Sequence, residues 1–196
     1  RDTSVTGVQT CALPILAAHP NVSVDLEEHL SDEIVGLIAE GVGDVGVVAG
    51  TVDPGRLTTF PFRTDRFQLV VAQDHPLAGR NRIAFADALG HDFIGLDRAS
   101  AVQRFLAGKA TSAGRALRLR VQLRSFDAVC RLVERNVGVG VVPATTARQA
   151  VKTMAIKALD LSDPWALREL TICVRDFNAL PHYAQKLVEH MRATPH

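Results

Sequence analysis

Two stretches of the chain lay out their apolar and polar residues in the same order. Residues 121–146, VQLRSFDAVCRLVERNVGVGVVPATT, open with a short apolar run at 121–123 and pass through the polar pair Ser125 and Asp127. Val129, Leu132 and Val133 follow at three- and four-residue spacing, until Asn136 and Gly138 break the pattern. That spacing predicts a strand, a helix capped by Ser125 or Asp127, and a helix stop. Residues 139–142 are apolar without alternation and end at Pro143, as in a strand covered on both faces. Residues 22–51 repeat the layout: an apolar run at 22–26, a helix start at Ser31-Asp32-Glu33, and a stripe of Ile34, Leu37 and Ile38. Gly41 and Gly43 then form the stop, and 45–48 a second strand. Two well-separated βαβ-like copies predict two similar α/β lobes rather than one continuous sheet.

Between and beyond these copies the alternation assigns the other elements. Residues 57–62 form a short extended segment, and 65–72, rich in β-branched and aromatic side chains, a strand. A break at 73–77 leads to a short helix at 85–89, a strand at 91–96, and a helix opened by Asp97-Arg98-Ala99-Ser100 and carrying Val102, Phe105 and Leu106. From Leu117 to Leu123 apolar residues alternate with Arg118, Arg120 and Gln122, which predicts one wet face. A helix over 145–150, extended segments at 154–161 and 169–175, and an amphipathic helix over 181–192 complete the chain.

Composition narrows the function classes. The 196 residues are 47% hydrophobic and 22% charged, enough for an ordinary core, and the formal net charge of +1 lacks the basic excess that autonomous nucleic-acid binding needs. Three cysteines, Cys11, Cys130 and Cys173, form an odd count without CxxC spacing, which fits a reducing cytoplasm better than a disulfide framework. No run reaches the roughly 18 apolar residues of a membrane span. Residues 1–15, RDTSVTGVQTCALPI, match the in-frame translation of a short-read sequencing adapter over VTGVQTCALPI. They are expected to be foreign to the fold and to stand where a first strand and helix belong.

Several chemical signals weaken in context. Gly41-Val42-Gly43-Asp44-Val45-Gly46 matches G-x-G-x-x-G, but its glycines end a helix and enter a strand, whereas a dinucleotide fingerprint leaves a strand and opens a helix. Cys130 lies beside an apolar stripe with no spaced His–Asp set, and the seven histidines show no HxxxH or HExxH spacing, so neither a nucleophile, a metal nor a cofactor is expected. Arg115, Arg118, Arg120 and Arg124 read as a solvated sheet face. Helix starts carry more information, because free N–H groups and the helix dipole converge outside the carboxyl ends of strands in open α/β sheets. The positions so marked are His29, Ser31, Gly50, Thr51, Arg98, Ala99, Ser100, Ser125, Phe126, Asp127 and Pro143, with Ala144 and Thr145 behind it. Plain helix capping is the competing account of each.

Three stretches, HPNVSVDLEEHLSDEIVGLIAEGVGDVGVVAG, LVVAQDHPLAG and RSFDAVCRLVERNVGVGVVPA, taken in this order, resemble the effector-binding domain of LysR-type transcriptional regulators over residues 16–192. The resemblance implies a two-lobed fold of the periplasmic-binding-protein type II class, each lobe a mostly parallel sheet flanked by helices. Lobe I would comprise 16–72 plus 168–196, with its first strand missing, and lobe II 73–167. It further implies a non-enzymatic, ligand-sensing domain that binds a small, anionic metabolite between the lobes and forms a homodimer. DNA would be contacted only through a winged helix-turn-helix absent from this chain. A solute-binding protein of a transporter shares the fold and is the alternative. An enzyme on the same fold would need an acid, base or nucleophile set that these residues do not space out. Replacing Ser100 or Phe126 is expected to weaken the effector response without unfolding the domain, as ligand calorimetry beside a denaturation curve would show.

Overall fold

The computed structural model describes residues 16–17, 20–27, 29–49 and 52–193. The adapter-like start, Gly50 and Thr51 lie outside these. By packing, the chain divides into two compact units, Asp65–Leu167 and a second unit holding the described residues up to Thr64 together with those from Arg168.

In the second unit, helix α1 (Ser31–Glu40) leads to strand β1 (Gly46–Ala49), which pairs antiparallel with β8 (Leu167–Val174), Gly46 opposite Cys173. Alternate residues of β8 enter different cores. Ile172 and Val174 meet Val188 and Met191 of helix α6 (His182–Ala193), while Cys173 meets Ile38 of α1 and Val48. One helix therefore covers each face of the pair. The expected strand at 22–26 is a correction: these residues have no ladder among the described residues, and Val24 and Leu26 are 41% and 38% exposed. Their β-branched pattern is local, but a strand exists only where a neighbour accepts its hydrogen bonds.

The unit Asp65–Leu167 holds most of a sheet. Strand β2 (Thr58–Ala72) runs unbroken through both the 57–62 and 65–72 segments and enters this unit at Asp65; the expected crossing at 72 lies at its far end. It pairs antiparallel with β6 (Gly140–Pro143) and with β7 (Ile156–Leu161). The short β3 (Arg82–Ile83) lies parallel to β7, and β4 (Phe93–Leu96) parallel to β5 (Leu119–Leu123). A parallel bridge between Phe93 and Val139 joins β4 to the start of β6. Within this unit every strand but β2 points the same way.

Two cores lie on the two faces of that sheet. Phe67, Leu69, Val71, Phe93, Val139 and Val141 face α2 (Phe85–Ala88) and α3 (Ala101–Ser112), where Phe85, Phe105 and Trp165 stack edge to face with ring centroids 5.3–5.5 Å apart. Val70, Ile94, Leu96 and Val142 face α4 (Phe126–Glu134) and α5 (Ala144–Thr153). The side-chain alternation of β2, β4 and β6 sorts the residues between the layers. On β5 the half-buried leucines and valine alternate with exposed Arg120 and Gln122, so its wet face is present.

The repeated layout is visible in three dimensions. Gly41 (φ 76°) and Asn136 (φ 54°) both take the left-handed conformation that ends a helix, and the next amide returns to the helix, Val42 N–H to Leu37 O at 2.9 Å and Val137 N–H to Leu132 O at 3.3 Å. In each copy a glycine of the following strand then lies directly under its helix. A Cβ on Gly46 would come within 2.6 Å of Ile34 Cγ2, and one on Gly140 within 2.7 Å of Val129 Cγ1. Gly140→Ala and Gly46→Ala should each destabilise the protein by about 1–3 kcal/mol through overpacking, measured by urea denaturation, whereas Gly108→Ala, with open space around it, should not.

Candidate functional site

Strands β4, β5 and β6 are parallel neighbours, so their carboxyl ends at Leu96, Leu123 and Pro143 share one edge of the sheet. Each strand is followed directly by a helix, α3, α4 and α5, and the three helix starts therefore stand on the same edge. Seven of the expected residues fall there: Arg98, Ala99 and Ser100 before α3, Ser125, Phe126 and Asp127 at α4, and Pro143 before α5.

The turn into α3 is built by Asp97, which the sequence places in the helix opening but not among the expected site residues. Asp97 N–H donates to Leu123 O at 2.8 Å, lacing the ends of β4 and β5, and Asp97 Oδ1 accepts from Ala99 N–H at 3.0 Å. Ser100 N–H returns to Asp97 O at 2.9 Å, and Ser100 O accepts the first helical bond from Arg104 N–H at 3.0 Å. This Asx turn uses the Ala99 amide internally and leaves Arg98 exposed at the tip, in no ion pair among the described residues. At α4, Ser125 is extended and its Oγ accepts from Ala128 N–H at 3.3 Å, a side-chain cap as its position implied. Asp127 pairs with Arg131 on its own helix, Oδ2 to Nε 2.9 Å, which offsets the carboxylate's opposition to an anion. Pro143 sets an extended entry to α5 and is partnered in the ladder by Phe67.

Phe126 stands elsewhere than its position in the sequence implied. Its ring is only 4% exposed and packs in the core with Leu96, Val129 and Cys130, so only its backbone amide belongs to the helix start. A helix start in a covered layer must turn some residues inward, and which ones depends on the layer above it.

In the second unit, Ser31 opens α1 and its Oγ accepts from Ala49 N–H at 3.1 Å, which places it at the carboxyl end of β1; the expected Gly50 and Thr51 lie outside the described residues. His29 is held between carboxylates, Nε2 to Glu27 Oε2 2.8 Å and Nδ1 to Glu33 Oε2 3.6 Å, and Glu33 also accepts from Leu30 N–H at 3.0 Å. His29 thus serves the acidic start of α1 itself.

Electrostatically the β4–β6 edge favours negative charge. Three helix N-termini each contribute roughly 0.3–1 kcal/mol to an anion in an exposed setting, and Arg98 adds a full charge. The thiols are not reactive groups: burial, then Asp127, pushes Cys130 up to about 11, and burial raises Cys173 against an opposing hydrogen bond from the Gly46 backbone. Among the described residues no group of three His, Cys, Asp or Glu side chains is arranged to hold a metal, and no helix is long and apolar enough to cross a membrane.

Comparison with known proteins identifies the family. A family model, LysR substrate binding domain, matches residues 11–195. The chain belongs to that family. Among curated proteins, this LysR domain is 25% identical over 86% of its length to "Probable RuBisCO transcriptional regulator" of Emiliania huxleyi, covering 55% of that protein. It is 25% identical to the HTH-type transcriptional regulator SsuR of Burkholderia cenocepacia, over 87% of the chain and 55% of the relative. To the transcriptional activator protein LysR of Escherichia coli it is 24% identical, over 92% of the chain and 57% of the relative. The chain thus spans about half the length of the curated relatives it matches, and these relatives are regulators, not enzymes. Solved structures share the two-lobed type II periplasmic-binding-protein fold. The regulatory domain of MetR from N. meningitidis superposes with a TM-score of 0.78 at 17% identity, covering 97% of this chain and 88% of that one. The Synechocystis CcmR regulatory domain in complex with 2-PG gives 0.74 at 18%, covering 97% and 92%. The effector-binding domain of QuiR in complex with shikimate gives 0.66 at 13%, covering 96% and 90%.

A buried polar residue, Gln103, was also missed. Gln103, 3% exposed, stands in an S-x-x-Q run with Ser100, the pattern of a capping box, yet its amide turns into the core to accept from Leu96 N–H at 3.0 Å. For Phe126 the structure replaces the sequence expectation. Phe126→Ala should cost about 3–5 kcal/mol of stability in chemical denaturation, against roughly 1 for Ser125→Ala.

Proposed function

We propose that this LysR domain senses a small anionic metabolite, bound between its two lobes with the helix starts at the β4–β6 edge as one wall. The observation that carries the reading is the convergence of three helix N-termini on one sheet edge with exposed Arg98 among them. Ser31, with Gly50 and Thr51 beyond Ala49, is the proposed contribution of the other lobe. Two structural relatives are complexes of compatible chemistry: CcmR with 2-PG, which carries a phosphate and a carboxylate, and QuiR with shikimate, a carboxylate. In the intact regulator, ligand binding would shift the population of a homodimer whose winged helix-turn-helix contacts the operator from outside this chain.

Calorimetry with 2-phosphoglycolate, shikimate and a panel of small dicarboxylates tests the reading. At least one anion should bind, its uncharged amide analogue should not, and Arg98→Gln should weaken binding roughly tenfold, equivalent to about 1.4 kcal/mol. Binding that is indifferent to Arg98→Gln, or that prefers the uncharged analogue, would overturn it.

A further inference from the structure

Beneath the turn that carries Arg98, Ala99 and Ser100 lies a small cavity with room for the centre of about one water molecule, about 10 Å³. Its wall is apolar, drawn from Leu96, Val102, Leu106, Leu119, Phe126 and their neighbours, apart from Gln103. The orientation of that carboxamide follows from chemistry. Leu96 N–H is a donor, so the oxygen must face it, and Oε1 accepts at 3.0 Å. Nε2 is thereby turned the other way, buried and without a hydrogen-bond partner on the protein. Gly95 leaves the space the carboxamide occupies, since a Cβ there would strike Gln103 Oε1 and come within 2.6 Å of Leu119 Cδ2.

We propose that Gln103 is a positioning residue for the ligand edge: its Oε1 holds the end of β4, and its Nε2 holds one buried water in the cavity, so that a polar strut sets the turn from Asp97 to Ser100. The role rests on reading that edge as the ligand site. Three facts combine in it. Leu96 is the last residue of β4, and its amide would otherwise be a buried donor at the point where the chain leaves the ladder. The next residue, Asp97, ties to β5 and builds the Asx turn, so a shift of Leu96 moves the whole turn. An orphaned amide donor in an apolar wall is costly, and a water accepting from it can donate in turn to the second lone pairs of strand carbonyls.

The test compares wild type with Gln103→Leu and Gln103→Met, both close in volume, and needs no ligand. Water-relaxation dispersion should show one fewer long-lived internal water in each variant. Amide exchange at Leu96, Ala99 and Ser100 should accelerate at least tenfold, while Leu69 and Val141 in the other core layer keep their rates. A residue that merely fills the core would lower protection across the unit together, and that uniform change would overturn the proposal, as would an unchanged water count. A high-resolution wild-type map showing the cavity dry would also overturn it, whether or not the variants fold. Failure of the Arg98 calorimetry would refute the anion reading and leave these readouts as they stand, so the two proposals fail separately.

Discussion

Both units of this molecule depend on how closely a helix can lie on the strand that follows it. Gly46 beneath Ile34 and Gly140 beneath Val129 remove the Cβ that would hold each helix away. Both helices end on a left-handed residue, Gly41 or Asn136, that turns the chain into that strand without a longer loop. Close packing of α4 on β6 brings Val129, Cys130 and Val133 into a core with Val142 and Ile94, and that core holds the helix start in place on the sheet edge. Site geometry here is therefore a by-product of layer packing.

The same packing separates backbone function from side-chain function at the helix starts. Ser125 caps, Asp97 folds a turn, and Phe126 is a core residue, although all three stand within three residues of a strand end. What converges on the edge is a set of helix dipoles and N–H groups, with the exposed Arg98 and Arg124 beside them.

Much of this was legible in the residues themselves. The sequence pattern placed every helix of eight residues or more that the structure describes, because helix faces that are buried and termini that are capped or set by Pro leave local signals. The order of the segments was enough to point to the family and, through it, to the two-lobed fold. Alternation on β5 and unbroken burial on β6 were both visible, since strand side chains report directly which faces are wet.

Tertiary structure decided what depends on a partner. Residues 22–26 have the composition of a strand but no ladder among the described residues, because pairing is a property of two segments and composition belongs to one. β2 joined two apparent segments into one, its later half held between β6 and β7 on either side, although Pro61 within it has no amide N–H to donate. Gln103 carries no signal of its inward turn in the sequence; its amide points into the core because Leu96 N–H needs an acceptor and Gly95 leaves it room. A sequence sets which groups must be satisfied and which faces must be dry; which groups satisfy them is settled only when distant strands and helices are brought within hydrogen-bond reach.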